Sequence, residues 1–266
     1  MSLKTIKKGK LEYLTAPGIP VPHCFTTRHG GVSTGANASL NLALNDRESM
    51  ENVEENLRIL ANALGFDPDK LVMTRQIHSD IVRVVTEKDH LGLCHRDYPE
   101  CDGLVTNTPG VALLVFTADC TPIIFHDPVT GAVGAVHAGW RGTAKAIGVK
   151  CVEAMVKNFG CKPENIHAAI GPNIAMCHFE TDGEVPQAMR DAFGPEVESY
   201  IKKRGEKYHL DLKAINALAL RRAGVKHIDI SDDCTYCQPE RFWSHRVTRG
   251  VRGSQGAVIL RKEADT

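Results

Sequence analysis

Apolar and polar positions alternate along the chain in a way that separates a mixed first third, a strand-rich centre and a last third of helices and short strands. Residues 11–14 and 24–27 read as short strands divided by a proline-containing segment. Between Asp46 and Leu64 the apolar residues Val53, Leu57, Leu60, Ala61 and Leu64 recur at helical spacing, and Gly65 supplies the stop. Residues 71–74, 81–86, 103–106, 111–117, 121–125 and 132–137 carry β-branched or aromatic runs and predict strands. Asp127-Pro128-Val129-Thr130-Gly131 provides turn chemistry between the last two. Residues 111–116 are apolar on both faces, which places that strand centrally in a covered sheet. A helix is expected over 143–159, ended by Gly160, then a strand over 166–170 closed by Gly171-Pro172. Helices over 183–193 and 212–223 and strands over 228–230 and 257–260 complete the pattern. Strands gather in the centre instead of alternating strictly with helices, so an α+β class fits better than a doubly wound sheet. With no internal repeat, low-complexity tract or long linker, residues 1–266 are read as one domain.

Composition narrows the class. Hydrophobic residues make up 42% and charged residues 24%, which excludes a disordered chain. No apolar run approaches the roughly 18 residues needed to span a bilayer, so no membrane partner is expected. The 32 basic and 32 acidic residues cancel, which argues against nucleic acid or another polyanion as a general partner but leaves room for a local basic patch. The basic N-terminal segment MSLKTIKKGK has no apolar stretch behind it, so a secretory signal is not expected and a cytoplasmic location is. There the nine cysteines stay as thiols, most of them small buried apolar residues. Any that matter act as metal ligands or nucleophiles. Cys234-x-x-Cys237 has no second half in the sequence and reads as two free thiols.

The most informative stretch is Thr117-Ala118-Asp119-Cys120, followed by Val136-His137-Ala138-Gly139-Trp140-Arg141-Gly142. A hairpin turn centred near residue 129 sets Cys120 opposite a residue near 138, so His137 becomes its cross-strand neighbour to within a bulge. Glycines at 139 and 142 leave room for something to approach the backbone. A thiol beside an imidazole has two chemical readings. His137 could deprotonate Cys120 for nucleophilic attack on a carbonyl. Alternatively, both bind a metal with a third ligand from elsewhere, for which His78, at a strand end among polar residues, is the best candidate. A Cys/His/His set suits Zn²⁺ and leaves a fourth tetrahedral position open for water or substrate. The separations of 42 and 17 residues match no compact zinc signature, and a lone buried Cys or His is usually core filling, so spacing alone leaves both readings standing.

Several segments together resemble the YfiH-like, or laccase-domain, family. They are Thr27-Arg28-His29-Gly30-Gly31-Val32-Ser33, Gln76-Ile77-His78-Ser79, Cys101-Asp102-Gly103-Leu104-Val105-Thr106, Thr117-Ala118-Asp119-Cys120-Thr121-Pro122 and Val136 to Gly142. Ile170-Gly171-Pro172-Asn173-Ile174, Cys177, Glu180 and Phe242-Trp243-Ser244-His245-Arg246 extend the match over nearly the whole chain. The resemblance implies an α+β sandwich of mixed sheets flanked by helices, distantly shared with Cys–His deamidase toxins. It implies a zinc site at His78, Cys120 and His137, which copper could also fill. It further implies phosphorolysis of adenosine, inosine and methylthioadenosine to base and ribose 1-phosphate, with adenosine deamination as a second activity. The family's other label, polyphenol oxidase or multicopper laccase, is set aside on physical grounds. A trinuclear copper cluster is built from His-x-His pairs, and none of the twelve histidines forms one.

These activities assign roles. Deamination needs a carboxylate to shuttle a proton, as in zinc deaminases of another fold. Asp102 is preferred over Asp119, whose place next to Cys120 would turn it to the opposite strand face. Phosphorolysis needs an anion pocket, expected from Arg28, the N–H groups of Gly30 and Gly31, Ser33, Arg141 and Arg246. Cys120, His137, Asp102 and Arg141 are therefore the expected catalytic group, and Asn41 and Gln76 join the substrate contacts. Trp140 either stacks on a purine or closes the core, and His23, His90, His95, His126, His209 and His227 have no assigned role. Val247-Thr248 after Arg246, and the Cys177-His178-Phe179-Glu180-Thr181 segment, depart from the family pattern and bear on substrate preference more than on the metal site. Three readings compete with the zinc phosphorylase: a metal-free Cys–His hydrolase or deamidase, a copper-binding polyphenol oxidoreductase, and a non-enzymatic binding module with a closed zinc.

Overall fold

A computed structural model describes residues 2–89 and 98–263, so His90 and His95 lie outside the described residues. Two six-stranded sheets stack face to face. The first runs in the order β1 (Lys4–Lys8), β2 (Leu11–Thr15), β3 (His23–Thr26), β15 (Gln255–Leu260), β7 (Ala112–Thr117) and β4 (Leu71–Met73). The second runs β14 (His227–Ile230), β10 (His167–Ile170), β8 (Thr121–His126), β9 (Val133–Ala138), β6 (Gly103–Thr106) and β5 (Val82–Val84). Both sheets are mixed: β4 joins β7, β5 joins β6 and β14 joins β10 in parallel, and the other pairings are antiparallel. A small third sheet orders β11 (Glu180–Thr181), β13 (Lys207–Leu210) and β12 (Ile201–Arg204).

The period-2 rule explains the layers. On β8, β9 and β6, Ile124, Ala135 and Leu104 face the first sheet and share its core. Their neighbours Ile123, Phe125, Val136, Ala138 and Val105 face the other way, onto α3 (Ile147–Phe159), which presents Ile147, Cys151, Val152 and Met155. Every residue of β7 and β8 but Phe116 is buried, as an apolar run covered on both faces should be. On the far side of the first sheet, α1 (Met50–Leu64) buries Val53, Leu57, Leu60, Ala61 and Leu64, the expected stripe. It begins four residues later than the periodicity suggests, because Ser49 is the cap, its side chain accepting from the Asn52 N–H, and Gly65 ends it at φ 74°. A third cluster forms around α4 (Glu184–Phe193) and α5 (Leu212–Arg222).

Two departures from the sequence pattern matter. The helix expected over 143–159 starts earlier and is broken: α2 (Trp140–Ala144) follows directly from Gly139, and Ala146 at φ 56° interrupts it before α3. The strands β1, β11, β12 and β13 gave no apolar signal, since most of their residues are exposed and polar. A short α6 (His245–Thr248) completes the fold, and no helix among the described residues is long and apolar enough to cross a membrane.

Candidate metal centre and cleft

The start of β8 and the ends of β7 and β9 meet at one end of the sandwich, and the candidate residues converge there. The β8–β9 register pairs Thr121 with Ala138 and Pro122 with His137, so Cys120 falls one step beyond, opposite Gly139. His137 shares the strand face of Ala135, turned toward the first sheet. His78 arrives from the loop after β4, at φ 59°, a left-handed conformation that is uncommon for a side-chain-bearing residue. Asp102 holds that loop. Its Oδ2 accepts from the Ile77 and Ser79 N–H groups at 3.1 and 2.7 Å and from the Ser79 hydroxyl at 2.7 Å. Its Oδ1 accepts from the His78 N–H at 3.0 Å and from His137 Nδ1 at 2.8 Å.

One buried carboxylate thus positions two imidazoles at once. With Nδ1 donating to Asp102, Nε2 is the nitrogen His137 has left for Cys120 or a metal. The Cys120 Sγ is 4.0 Å from His78 Nε2, and one ligand atom from each of His78, Cys120 and His137 lies within 4.8 Å of the others. The two rings meet edge to face at 4.9 Å. A Cβ on Gly139 would stand 3.0 Å from His78 Cδ2 and 3.3 Å from Cys120 Sγ, so the bare backbone is what makes room for this trio. At Gly142 the approaching group is the Ser79 carbonyl, 3.2 Å from where a Cβ would sit. Burial opposes the charged forms of all three groups, but mutual attraction prevails. His137 and His78 pull the Cys120 thiol down to about 6, Cys120 and Asp102 push His137 up to about 9, and His137 and Ser79 hold Asp102 at about 2. A thiolate beside two imidazoles, one oriented by a carboxylate, is a donor set that fits Zn²⁺.

The trio forms the floor of a cleft of about 370 Å³, within the usual range for small-molecule sites. Phe116, Trp140, Ile174, Phe179 and Leu212 give it an apolar wall, and Arg141, Arg246, Arg252, His245 and Ser254 bring polar groups to it. The Arg141 guanidinium lies over the Trp140 ring at 4.1 Å. Arg252 donates through one terminal nitrogen to the Gly253 carbonyl and the Ser254 hydroxyl at 2.9 and 2.8 Å, whereas its buried Nε has no protein partner. Asp119 lines the cleft from a left-handed backbone at φ 87°. Its carboxylate accepts from the Thr235 hydroxyl and the Arg246 N–H, both at 2.6 Å. The expectation that Asp119 would turn to the opposite strand face is corrected, because Asp119 lines the cleft, although both of its oxygens are engaged, as those of Asp102 are. Positive φ turns Asp119 toward the cleft, and Asp102 is 0% exposed with both oxygens engaged behind the ligands.

The glycine-rich segment is also corrected, because its donors are already used. Arg28 donates to the carbonyls of Ala38 and Pro239 and lies over Trp243 at 3.8 Å. The Gly30 and Gly31 N–H groups donate to the Ser39 hydroxyl, and Ser33 accepts from Asn56. A Cβ on Gly30 would come within 2.3 Å of Leu11 Cα, so these glycines permit close packing between segments. None of Arg28, Gly30, Gly31 or Ser33 lines the cleft. Asn41 stands behind it, accepting from the Ser254 N–H at 2.8 Å. Gln76 does line it, but its amide is committed to both backbone groups of Phe116 at 2.7 and 2.9 Å. Of the arginines expected at an anion pocket, Arg141 and Arg246 reach the cleft and Arg28 does not.

Sequence reasoning missed Arg252 and Ser254. The signal available was pairing: β15 lies against β7 with Gln255 opposite Thr117, so the residues before 255 must emerge beside those after 117.

Comparisons with known proteins agree with this architecture. A family model described as multi-copper polyphenol oxidoreductase laccase matches residues 22–262. A purine nucleoside phosphorylase of Deinococcus radiodurans is 42% identical over 262 residues, covering 96% of each chain. Purine nucleoside phosphorylase YlmD of Geobacillus stearothermophilus is 39% identical, covering 90% of this chain and 89% of that one. Among solved structures, YlmD from the same organism matches with a TM-score of 0.91 at 36% identity over 97% of this chain and 99% of that one. YfiH of Bacillus licheniformis matches at 0.90 and 31% identity, over 97% and 98%.

Proposed function

The chain belongs to the laccase-domain family of YfiH- and YlmD-type purine nucleoside phosphorylases, and from that premise we propose that it is a zinc-dependent purine nucleoside phosphorylase. Adenosine, inosine and methylthioadenosine are the substrates, with phosphate as the second reactant. The observation that carries this reading is the joining of three features in one cleft: the Cys120/His78/His137 floor, the apolar wall and the arginines.

The division of labour follows from the lining. Phe116, Trp140, Ile174, Phe179 and Leu212 bind the flat purine and exclude water from it. Arg252 is the principal phosphate partner. Burial disfavours its charge, Asp119 and Cys120 favour it, and its unpartnered Nε offers a donor that an anion would satisfy. Arg141 and Arg246, more exposed, add charge at the mouth, and the Ser254 hydroxyl adds a further polar contact. An oxygen of hydrogen phosphate then bonds to the ribose C1′ as the bond to the purine nitrogen breaks, and the proton the phosphate gives up ends on the departing base. Zinc bound by His78, Cys120 and His137, or copper in its place, would supply Lewis-acid charge at the floor. For adenosine deamination in the same cleft, a water oxygen bonds to purine C6 as the C6–N bond breaks, a proton from that water passes to the departing amine, and ammonia leaves. Asp119, which lines the cleft, is the carboxylate assigned to carry that proton.

The competing readings fare less well. A metal-free cysteine hydrolase gains from the Cys120–His137–Asp102 chain of contacts, but it requires His78 to stand apart from the thiol, and His78 is 4.0 Å away. A binding module with a closed zinc requires the fourth side of the trio to be covered, whereas the trio faces the cleft. A multicopper oxidase requires a histidine-rich trinuclear cluster, and one Cys/His/His set cannot form it.

Incubation of metal-replete protein with each nucleoside, with and without phosphate, tests the proposal by product analysis. Free base and ribose 1-phosphate should appear only with phosphate, and Arg252→Ala should raise the KM for phosphate at least tenfold. Absence of any base, inosine or hypoxanthine from adenosine would refute it.

A further inference from the structure

Cys234-x-x-Cys237 has a second half after all, and it comes from a different part of the chain. Cys177 and His178 lie on the turn after Asn173, and Asn173 is bridged to Cys234. That bridge aligns the two turns, so four ligand atoms from Cys177, His178, Cys234 and Cys237 fall within 4.8 Å of one another. We propose that these four residues form a second, structural zinc site of the Cys₃His type, separate from the cleft.

The spacings fit a tetrahedron. Cys177 Sγ is 3.7 Å from Cys234 Sγ and 3.6 Å from Cys237 Sγ. A tetrahedral zinc with Zn–S bonds of about 2.3 Å separates its sulfurs by about 3.8 Å. A disulfide would need about 2.05 Å, so none of these contacts is one. His178 Nδ1 is 3.2 Å from both Cys177 Sγ and Cys237 Sγ, and its ring stacks on Tyr236 at 4.1 Å, which fixes its orientation. The Ala175 N–H donates to Cys234 Sγ at 3.3 Å, the kind of backbone donor that stabilises a metal-bound thiolate. Three thiolates on one Zn²⁺ leave a net negative centre. The buried Lys213 ammonium, donating to the Ser231 and Asp233 carbonyls just before Cys234, lies on the side where positive charge is wanted.

Four protein donors leave no position for water, so the site holds structure and does no chemistry of its own. What it holds is the cleft wall. Ile174 and Phe179 flank Cys177-His178 and line the cleft. Thr235, next to Cys234, donates to Asp119. The metal would tie together two turns 57 to 60 residues apart, and both carry groups of the cleft.

Metal content of the full-length protein, purified under reducing conditions, tests this independently of the phosphorylase reading. Wild type should carry about two equivalents of zinc, and Cys120→Ala and the Cys177→Ser/Cys237→Ser variant about one each. Failure of the cleft trio as a metal site would show instead as about one equivalent in both wild type and Cys120→Ala. Cobalt loaded into Cys120→Ala should give the intense thiolate-to-metal and tetrahedral bands of a three-sulfur site. The exposed Cys177 and Cys237 should resist Ellman's reagent until a chelator is added. A metal-free Cys120→Ala protein without thiolate–cobalt bands, immediate thiol reactivity, or a mapped disulfide within the cluster would overturn the proposal. The cobalt spectrum decides even where the double variant fails to fold.

Discussion

Replacing Asp102 with Asn keeps the shape of the side chain and removes one acceptor oxygen, which makes it the sharpest probe of the site. The carboxylate accepts five hydrogen bonds, three on Oδ2 and two on Oδ1. Asparagine must turn its NH₂ to one side or the other. Facing the Oδ2 side, it meets the Ile77 and Ser79 N–H groups, and only the Ser79 hydroxyl can rotate to accept. The buried Ser79 N–H is then orphaned at about 1–3 kcal/mol, and the part-buried Ile77 N–H loses its acceptor as well, so at least about 1–3 kcal/mol of stability is lost. Facing the Oδ1 side, it orphans the His78 N–H and forces His137 to accept at Nδ1. The His137 proton then moves to Nε2, the nitrogen needed for the metal. Either orientation has a measurable cost, and loss of such an outer partner typically weakens metal binding or activity about 10–100-fold. Urea unfolding of the metal-free protein reads the first outcome, and competition with a chromophoric zinc chelator reads the second. An Asp102→Asn protein with unchanged unfolding midpoint and zinc affinity would refute the role assigned to this carboxylate.

Three further outcomes follow from the same geometry. Gly139→Ala is compatible with the backbone at φ −67°, but its Cβ would crowd His78 and Cys120, so metal uptake should fall while circular dichroism stays native. Unimpaired uptake would count against the trio as a site. Gly171→Ala would set a Cβ 2.2 Å from Phe25 Cδ1 and should cost about 1–3 kcal/mol in urea unfolding, with no change expected if the two segments were loosely packed. His126 is held near 4, below its ordinary 6.5, first by burial and then by His167, Arg261 and His23, against the opposing pull of Asp127. Its contribution is complete above pH 6.5 and is lost as the pH falls toward 4, up to about 3 kcal/mol. His126→Gln should flatten the stability profile between those values, and a parallel profile would dismiss the assignment.

What the sequence made legible was set by local rules. The five-residue turn 127–131 fixes the β8–β9 register, and that register alone sets Cys120 opposite Gly139, two positions from His137 and one from the residue 138 that the sequence suggests. The α1 stripe and its Gly65 stop were equally plain. What stayed hidden depended on contacts between distant segments. Glycine next to arginine suits an anion cradle and tight packing equally well, and only the arrival of Leu11 and Ser39 at Gly30 and Gly31 decides between them. Arg252 and Cys177-His178 were invisible as site residues for a related reason. Their partners, at Thr117 and at Cys234, are supplied by sheet pairing and by one isolated bridge across more than fifty residues. The β12–β13 hairpin gave no apolar pattern because most of β12 is exposed and only Ile201, Tyr208 and Leu210 reach the third cluster.

Zero net charge hides a local gathering of positive charge, since Arg141, Arg246 and Arg252 all line one cleft. Ligands that must be fixed come from strand ends or from a loop locked by Asp102, and His137 and Asp102 are fully enclosed. The arginines that line the cleft come from segments outside the strands: Arg141 at the start of α2, Arg246 in α6 and Arg252 before β15. Asp119 links the two sets, since the same carboxylate that adjoins Cys120 in the chain holds the Arg246 N–H and the Thr235 hydroxyl. Thr235 in turn belongs to the turn of Cys234. Asp119 thus adjoins Cys120 in the chain and contacts both the start of α6 and the turn of Cys234.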